Sequence, residues 1–292
     1  MNRFYLLGIF LLLISAFDDE DDVQPEPGRL ELGISNLADL GESAQYEGWI
    51  IVNGTPESTG TFTVDANGDL SETTFEVDHE MLDDATAFVL SIEPIPDNDP
   101  APSAIKLLGG DFTGTSAAVN VNHPAALNSD FSAAAGSYLL ATPTTPEMDD
   151  ELSGVWFIDV SSGSPEASLS LPALPSGWVY EGWAVIDDMP ISTGTFTAVD
   201  ASDNASPYSG SQPGPPFPGE DFVMNAPSGL TFPTQLTGSP MVISIEPSPD
   251  NEAAPFQLKP LVAMTPADAM AMQSISLDNM VTSTFPAGTV TR

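Results

Sequence analysis

The sequence predicts an all-β protein: two tandem β-sandwich (Ig-like) modules that follow an N-terminal signal peptide. Three observations carry that prediction. Two blocks of sequence each occur twice. The chain is rich in turn formers, with 28 Pro and 23 Gly in 292 residues. Its apolar runs are short and alternate at strand period.

The repeat comes first, because an internal duplication constrains every later assignment. Tyr46 to Thr63 reads YEGWIIVNGTPESTGTFT and Tyr180 to Thr197 reads YEGWAVIDDMPISTGTFT, identical at 11 of 18 positions. Ser91 to Asn98 (SIEPIPDN) and Ser244 to Asn251 (SIEPSPDN) agree at seven of eight. Pro102 matches Pro255, Lys106 matches Lys259, and Phe131 (FSAAAG) corresponds to Phe285 (FPAG). The first pair is offset by 134 residues and the second by 153, so the second copy carries 19 more residues between its blocks. These are expected near residues 203–221, where Pro, Gly and Ser cluster as in a surface loop. The resulting division is 1–17 signal peptide, 18–29 acidic linker, 30–143 first module and 144–292 second module.

Within a module, Leu30 to Leu37 and Ala167 to Leu174 alternate apolar and polar residues, as half-buried strands do. Trp49 to Val52 and Trp183 to Ile186 are short strand-forming runs. Asn53-Gly54 signals a two-residue type I′ hairpin, with Asp187-Asp188 in its place in the second copy. Thr59 to Val64 returns, and Ala66 to Asp69 makes the next turn. Ala87 to Glu93 and Met241 to Glu246 are core strands stopped by Pro. Ser137 to Thr142 and Gly154 to Val160 form a hairpin that joins the modules or opens the second. One helix is expected, Pro266 to Gln273, with Thr265 as N-cap and Pro at the first helical position.

The N-terminal segment reads as an address. After a short basic start, Tyr5 to Phe17 is an apolar run of 13 residues. As a helix it spans roughly 20 Å, too little for a ~30 Å hydrocarbon layer, so it matches a signal peptide and not a membrane anchor. No later stretch is apolar for long enough to span a membrane, and the mature chain is expected to have no transmembrane segment. Leu13-Ile14-Ser15-Ala16 resembles the start of a lipobox, but Phe17 stands where the lipidated Cys belongs. The expected location is exported: periplasmic, cell-surface or extracellular.

Charge and composition exclude several functions. Forty-two acidic residues against five Lys and Arg give a net charge of −37, which repels nucleic acid and anionic membrane surfaces. Such a surface suits a salt-rich milieu that screens it, and it equally suits plain solubility of an exported protein. The absence of Cys removes disulfides, thiolate nucleophiles and Cys-ligated metals. Neither a G-x-S-x-G elbow nor a P-loop is present, and only two His occur, His79 and His123. The chain is therefore expected to be non-enzymatic and to need no cofactor; its partner is an unidentified protein or cell-envelope component.

The residues repeated between copies are the candidate positions. Tyr46, Trp49 and Phe62, with Tyr180, Trp183 and Phe196, are core and hairpin aromatics, or a ligand-facing aromatic platform. Gly48, Gly60, Gly182 and Gly194 suit a bulge or a close strand contact. Apart from Arg292 in the tail, Lys106 and Lys259 are the only Lys or Arg inside the modules. They either pair with a repeated acid, Glu47/Glu181 or Glu93/Glu246, or mark a point for an anionic ligand. Asp65-x-Asn67-x-Asp69 resembles the opening of a calcium loop without its full pattern, so a hairpin turn is expected there; Asp200 and Asp203 are spaced differently in the second copy. The Pro-Asp-Asn loops after Glu93-Pro94 and Glu246-Pro247 are turns first and weak cation sites second.

Together the two blocks resemble the extracytoplasmic C-terminal domain of the anti-sigma-K factor (RskA-type) family. The shared pattern is a Tyr-x-x-Trp strand, then Pro-x-Ser-x-Gly-x-Phe, then a strand ending in Glu-Pro. Here these are Tyr46, Trp49, Pro56, Ser58, Gly60, Phe62 and Glu93-Pro94, and again Tyr180, Trp183, Pro190, Ser192, Gly194, Phe196 and Glu246-Pro247. The chain departs from that family in having Pro-Asp-Asn where a Gly-Gly loop is usual. It also shows neither the sigma-binding helical domain nor the transmembrane helix. The resemblance implies an outer sensing or interaction domain separated from the switch, with no catalytic residues to carry over. A structural or cell-surface spacer, stabilised by cations, is the alternative.

Overall fold

A computed structural model describes residues 27–146, 150–249 and 252–292. The signal-peptide assignment and almost all of the acidic linker lie outside the described residues. Strands take 42% of the chain and helices 4%, so the all-β class holds. The elements form two large antiparallel sheets, each nearly closed on itself like a sandwich.

The first body contains β1 (Gly28–Ser35), β2 (Ala44–Val52), β3 (Thr55–Phe62), β4 (Thr74–Val77), α1 (His79–Asp84), β5 (Ala85–Pro94), β6 (Lys106–Thr113) and β7 (Ser116–Asn120). The second contains β8 (Gly136–Leu140), β9 (Gly154–Trp156), β10 (Ile158–Asp159), β11 (Glu166–Ala167), β12 (Trp178–Ile186), β13 (Met189–Phe196), β14 (Gly219–Asp221), β15 (Pro240–Pro247), β16 (Leu261–Met264) and β17 (Ile275–Asn279). The chain ends with α2 (Val281–Thr284) and β18 (Ala287–Thr291). The sheets run β3-β2-β5-β6-β7-β18-β1-β4 and β13-β12-β15-β16-β17-β8-β9-β14. Strand for strand the two orders correspond, with β9 standing where β1 stands and β10–β11 forming a separate two-stranded ribbon.

The repeated sequence explains the repeated geometry. Asn53 and Gly54 both have positive φ, at 52° and 83°, and so do Asp187 and Asp188, at 50° and 64°. Each pair therefore makes the two-residue turn that the strand twist favours. The register slips at Gly48/Trp49 and at Gly182/Trp183. These bulges need glycine: a Cβ on Gly48 would lie 2.5 Å from Thr59 Oγ1, and one on Gly182 would meet the matching Thr193 Oγ1. Tyr46 stacks on Phe62 with ring centroids 5.4 Å apart, and Tyr180 on Phe196 at 5.6 Å. Their hydroxyls donate to the carbonyls of Ala38 and Pro172. The alternation of β1 is complete, with Leu30, Leu32 and Ile34 buried and their neighbours exposed.

Four expectations change. Pro266–Gln273 is two successive turns and not a helix. Thr265, expected to cap it, bonds Tyr138 Oη instead; Met272 adopts φ 63° and gives its N–H to the Leu140 carbonyl. The Ala167–Leu174 strand is largely irregular: only Ala167 lies in β11, and Ser170 bridges Ala135. The extra residues of the second copy are shared between two connections, 197–218 and 222–239, instead of lying wholly near 203–221. Finally, the sheets do not divide at residue 143. β8 belongs to the second sheet, and the C-terminal β18 crosses back to lie between β7 and β1 of the first. No helix among the described residues is long and apolar enough to cross a membrane.

Candidate functional site

The sequence-derived positions fall into one arrangement built twice. Trp49 Nε1 donates to Ser91 Oγ at 2.8 Å, and Ser91 donates to Glu93 Oε1, which also accepts the Ser103 N–H at 2.9 Å. Ser58 donates to Glu47. In the second body Trp183 Nε1 donates to Ser244 Oγ at 2.8 Å, Ser244 to Glu246, Phe256 N–H to Glu246 at 2.9 Å, and Ser192 to Glu181. Both Trp side chains are 2% exposed, and Tyr46, Phe62, Tyr180 and Phe196 are buried with them. Burial places all six aromatics in the interior, so they form no ligand platform. The polar chains pin β2 to β5 and β12 to β15 from inside, where a hydrogen bond left unmade is costly.

Among the described residues neither lysine makes a contact ion pair. Lys106 Nζ donates to the Ser103 carbonyl at 2.7 Å. Lys259 is half-buried, and desolvation lowers its pKa while the charge of Glu246 raises it. The ion pairs among the described residues, Arg29–Glu31, His79–Asp83 and His123–Asp111, include neither lysine. Asp65 makes the expected turn, its carboxylate accepting the N–H groups of Asn67 and Asp69. Among the described residues no group of three or more His, Cys, Asp or Glu is arranged to hold a metal.

A further feature lies in the second body, at the insertion that the offset between the repeats marked near 203–221. The 197–218 connection folds against β9 and β14 and leaves a cavity of about 280 Å3 lined by Thr144, Trp156, Asp203, Ser209, Gln212 and Phe217, among others. Glycine lets the loop approach the indole: a Cβ on Gly214 would lie 2.5 Å from Trp156 Cη2, and one on Gly219 2.6 Å from Cε3. Trp156 Nε1 donates to Asp221 Oδ1 at 2.8 Å. Asp221 Oδ2 accepts from the Thr144 N–H at 2.8 Å and from the Thr144 hydroxyl. The loop is then fixed to Thr144, because Gly210 N–H donates to Thr144 Oγ1 at 2.7 Å and Gln212 N–H to the Thr144 carbonyl at 3.0 Å.

Three carboxyls meet at this wall. Ser209 donates to Glu220 Oε1, and Gly219 N–H to Asp203 Oδ2 at 2.9 Å. Glu220 is fully buried, and its Oε2 has no hydrogen-bond partner. Desolvation pushes Glu220 up to about 8 and Asp203 up to about 7, with mutual repulsion adding to the first. Burial also raises Asp221, against the hydrogen bonds from Thr144 and Trp156. Burial thus favours the protonated form of Asp203 and Glu220 into the neutral range. Asp203 is the one carboxyl lining the cavity. A second cavity of about 410 Å3 lies beyond the Asn204–Ala205 turn, against Glu181, Ser192 and Pro249.

Of these residues, the sequence had drawn attention to Asp203 only as a mis-spaced calcium candidate. Trp156, Glu220 and Asp221 carried no signal, because a Gly-Glu-Asp run after a Pro-rich loop looks solvated until the fold buries it. The fold and site together define a two-module all-β protein in which one copy bears an acid-edged, polar cavity. No family model, no curated protein and no solved structure matches the chain.

Proposed function

We propose that this is an exported, non-enzymatic binding or sensing protein, built like the outer domain of RskA-type anti-sigma factors. Its recognition element is the cavity of the second body. The observation that carries the proposal is the asymmetry of the duplication: the repeated aromatics are buried in both copies, and the longer 197–218 connection of the second copy supplies most of the cavity lining. An indole beside hydroxyl, amide and backbone groups suits a small polar ligand, sugar-like or amine-bearing. The proposal gives this cavity no hydrolytic role, since its lining offers Asp203 without a second carboxyl and without a nucleophile–base pair.

The test is calorimetric titration and thermal-shift measurement with a panel of oligosaccharides and polyamines, on the full chain and on Asp203→Asn and Gln212→Ala. A ligand whose stabilising effect disappears in these variants supports the proposal. Ligand effects that survive both variants, or no ligand effect across the panel, sink it. The net charge of −37 favours a second reading, a surface spacer stabilised by cations. For it, the melting temperature rises with salt and rises further with calcium at matched ionic strength; indifference to both removes it.

A further inference from the structure

The last strand of the chain completes the first sheet. β18 is hydrogen-bonded along its whole length on both sides, Glu31↔Thr291 through Ser35↔Ala287 on β1 and Asn120↔Ala287 through Ser116↔Thr291 on β7. Without it β7 and β1 have no partner there, and the sheet order is broken in the middle. The slot selects its occupant. A Cβ on Gly288 would lie 2.6 Å from Ile34 Cα and would strike the Gly33 carbonyl, so only glycine fits. Val290 is fully buried. Arg292 Nη1 donates to the carbonyls of Leu82, Asp83 and Ala85, and Nη2 to that of Gly114. Its guanidinium sits 4.4 Å from the Phe112 ring centre.

The second sheet is completed in the same way by β8, between β17 and β9. Both strands follow the matched Phe-x-Ala segments, Phe131 before β8 and Phe285 before β18. The two crossing segments are held together: the Phe131 and Phe285 rings meet at 5.3 Å, and Asn279 Nδ2 donates to the carbonyls of Phe131, Ser132 and Ala134. Each body thus hands its tail strand to the other. A tail that leaves its own body and fills a slot elsewhere makes the same contacts whichever chain supplies it, which is the condition for strand exchange between copies.

We propose that the slot between β7 and β1 is a strand-acceptor site whose partner is the C-terminal strand of a second copy of this chain, giving a reciprocally exchanged dimer in equilibrium with the self-closed monomer. The pairing of β18 with β7 and β1 and the seats of Val290 and Arg292 are kept in the dimer, while the path of residues 280–286 changes and the Phe131–Phe285 contact is remade or lost with it. Two strongly acidic chains repel, so salt shifts the balance toward the dimer.

The test uses the full chain carrying Gly288→Val, which cannot seat its own strand, and a labelled peptide of residues 285–292. The peptide is expected to bind the variant one to one and roughly tenfold or more tighter than it binds the wild type, whose slot is filled. Equal binding to both, or no binding to a variant whose second body still melts cooperatively, overturns the proposal. Should the variant fail to fold, two differently tagged wild-type chains are partly unfolded together in high salt and refolded. Mixed-tag dimers that excess peptide dissociates uphold the proposal, and recovery of monomers alone overturns it.

Discussion

The two bodies share a scaffold and differ at one corner. In the first, β3 returns to β4 through a short turn built on Asp65, and α1 leads into β5. In the second, both of those connections are longer, and the first of them, 197–218, encloses with β9 a space lined by Trp156, Asp203 and Ser209. The Tyr, Trp, Ser, Glu and Gly positions that agree between copies are the ones that hold the hairpin, the bulge and the buried polar chain. A duplicated sheet therefore separates two demands. What both copies keep is needed to fold, and what one copy adds is free to become a site.

Four experiments sharpen or break that comparison. The largest effect is expected from Trp49→Ala and Trp183→Ala, each removing a fully packed indole at a cost of about 3–5 kcal/mol. Two-transition denaturation curves should show each loss mainly in its own body; a pair that destabilises one body only would refute equivalent roles. Next, Gly48→Ala and Gly182→Ala force a Cβ onto Thr59 and Thr193 and should each cost about 1–3 kcal/mol. Ser91→Ala and Ser244→Ala each strand an indole N–H and remove one of the hydrogen bonds to a buried glutamate. The expected loss is also about 1–3 kcal/mol, and the same denaturation curves measure it.

The smallest and most selective effect is on pH dependence. Asp203 and Glu220 have folded pKa values near 7 and 8, above their ordinary values of 3.8 and 4.5. The folded state holds these protons more tightly than the unfolded chain does. Their stabilisation is complete below the ordinary values, falls as pH rises, and is gone once pH passes about 8. Calorimetric melting across that window should show the second transition falling more than the first, where burial raises Glu47. Asp203→Asn with Glu220→Gln should flatten the fall and raise the second transition at alkaline pH. A fall of the same size in both bodies would place its cause outside the cavity wall.

Much of the fold was legible in local pattern. Alternation gave β1, the Asn53-Gly54 and Asp187-Asp188 pairs gave the hairpins, and glycines beside the Trp residues gave the bulges, because these depend on neighbours a few positions apart. The Pro266–Gln273 segment was misjudged for the opposite reason. Its capping signal was genuine as local chemistry, but Tyr138 claimed the Thr265 hydroxyl and Leu140 claimed the Met272 N–H. Among the described residues the lysines make no contact ion pair: Lys106 turns to the Ser103 carbonyl, and Lys259 feels the charge of Glu246 without a salt bridge to it.

By itself, then, the sequence determined the duplication, the strand period, the turns and the acidic surface, all of which follow from composition and short-range stereochemistry. Only the tertiary structure decided which sheet receives the last strand and which carboxyls lose their water. Backbone hydrogen bonds do not read side chains, so the place of β18 depends on an opening between β7 and β1 that exists only when the sheet is assembled. The protons on Asp203 and Glu220 depend on burial, and burial is a property of everything that packs around a residue.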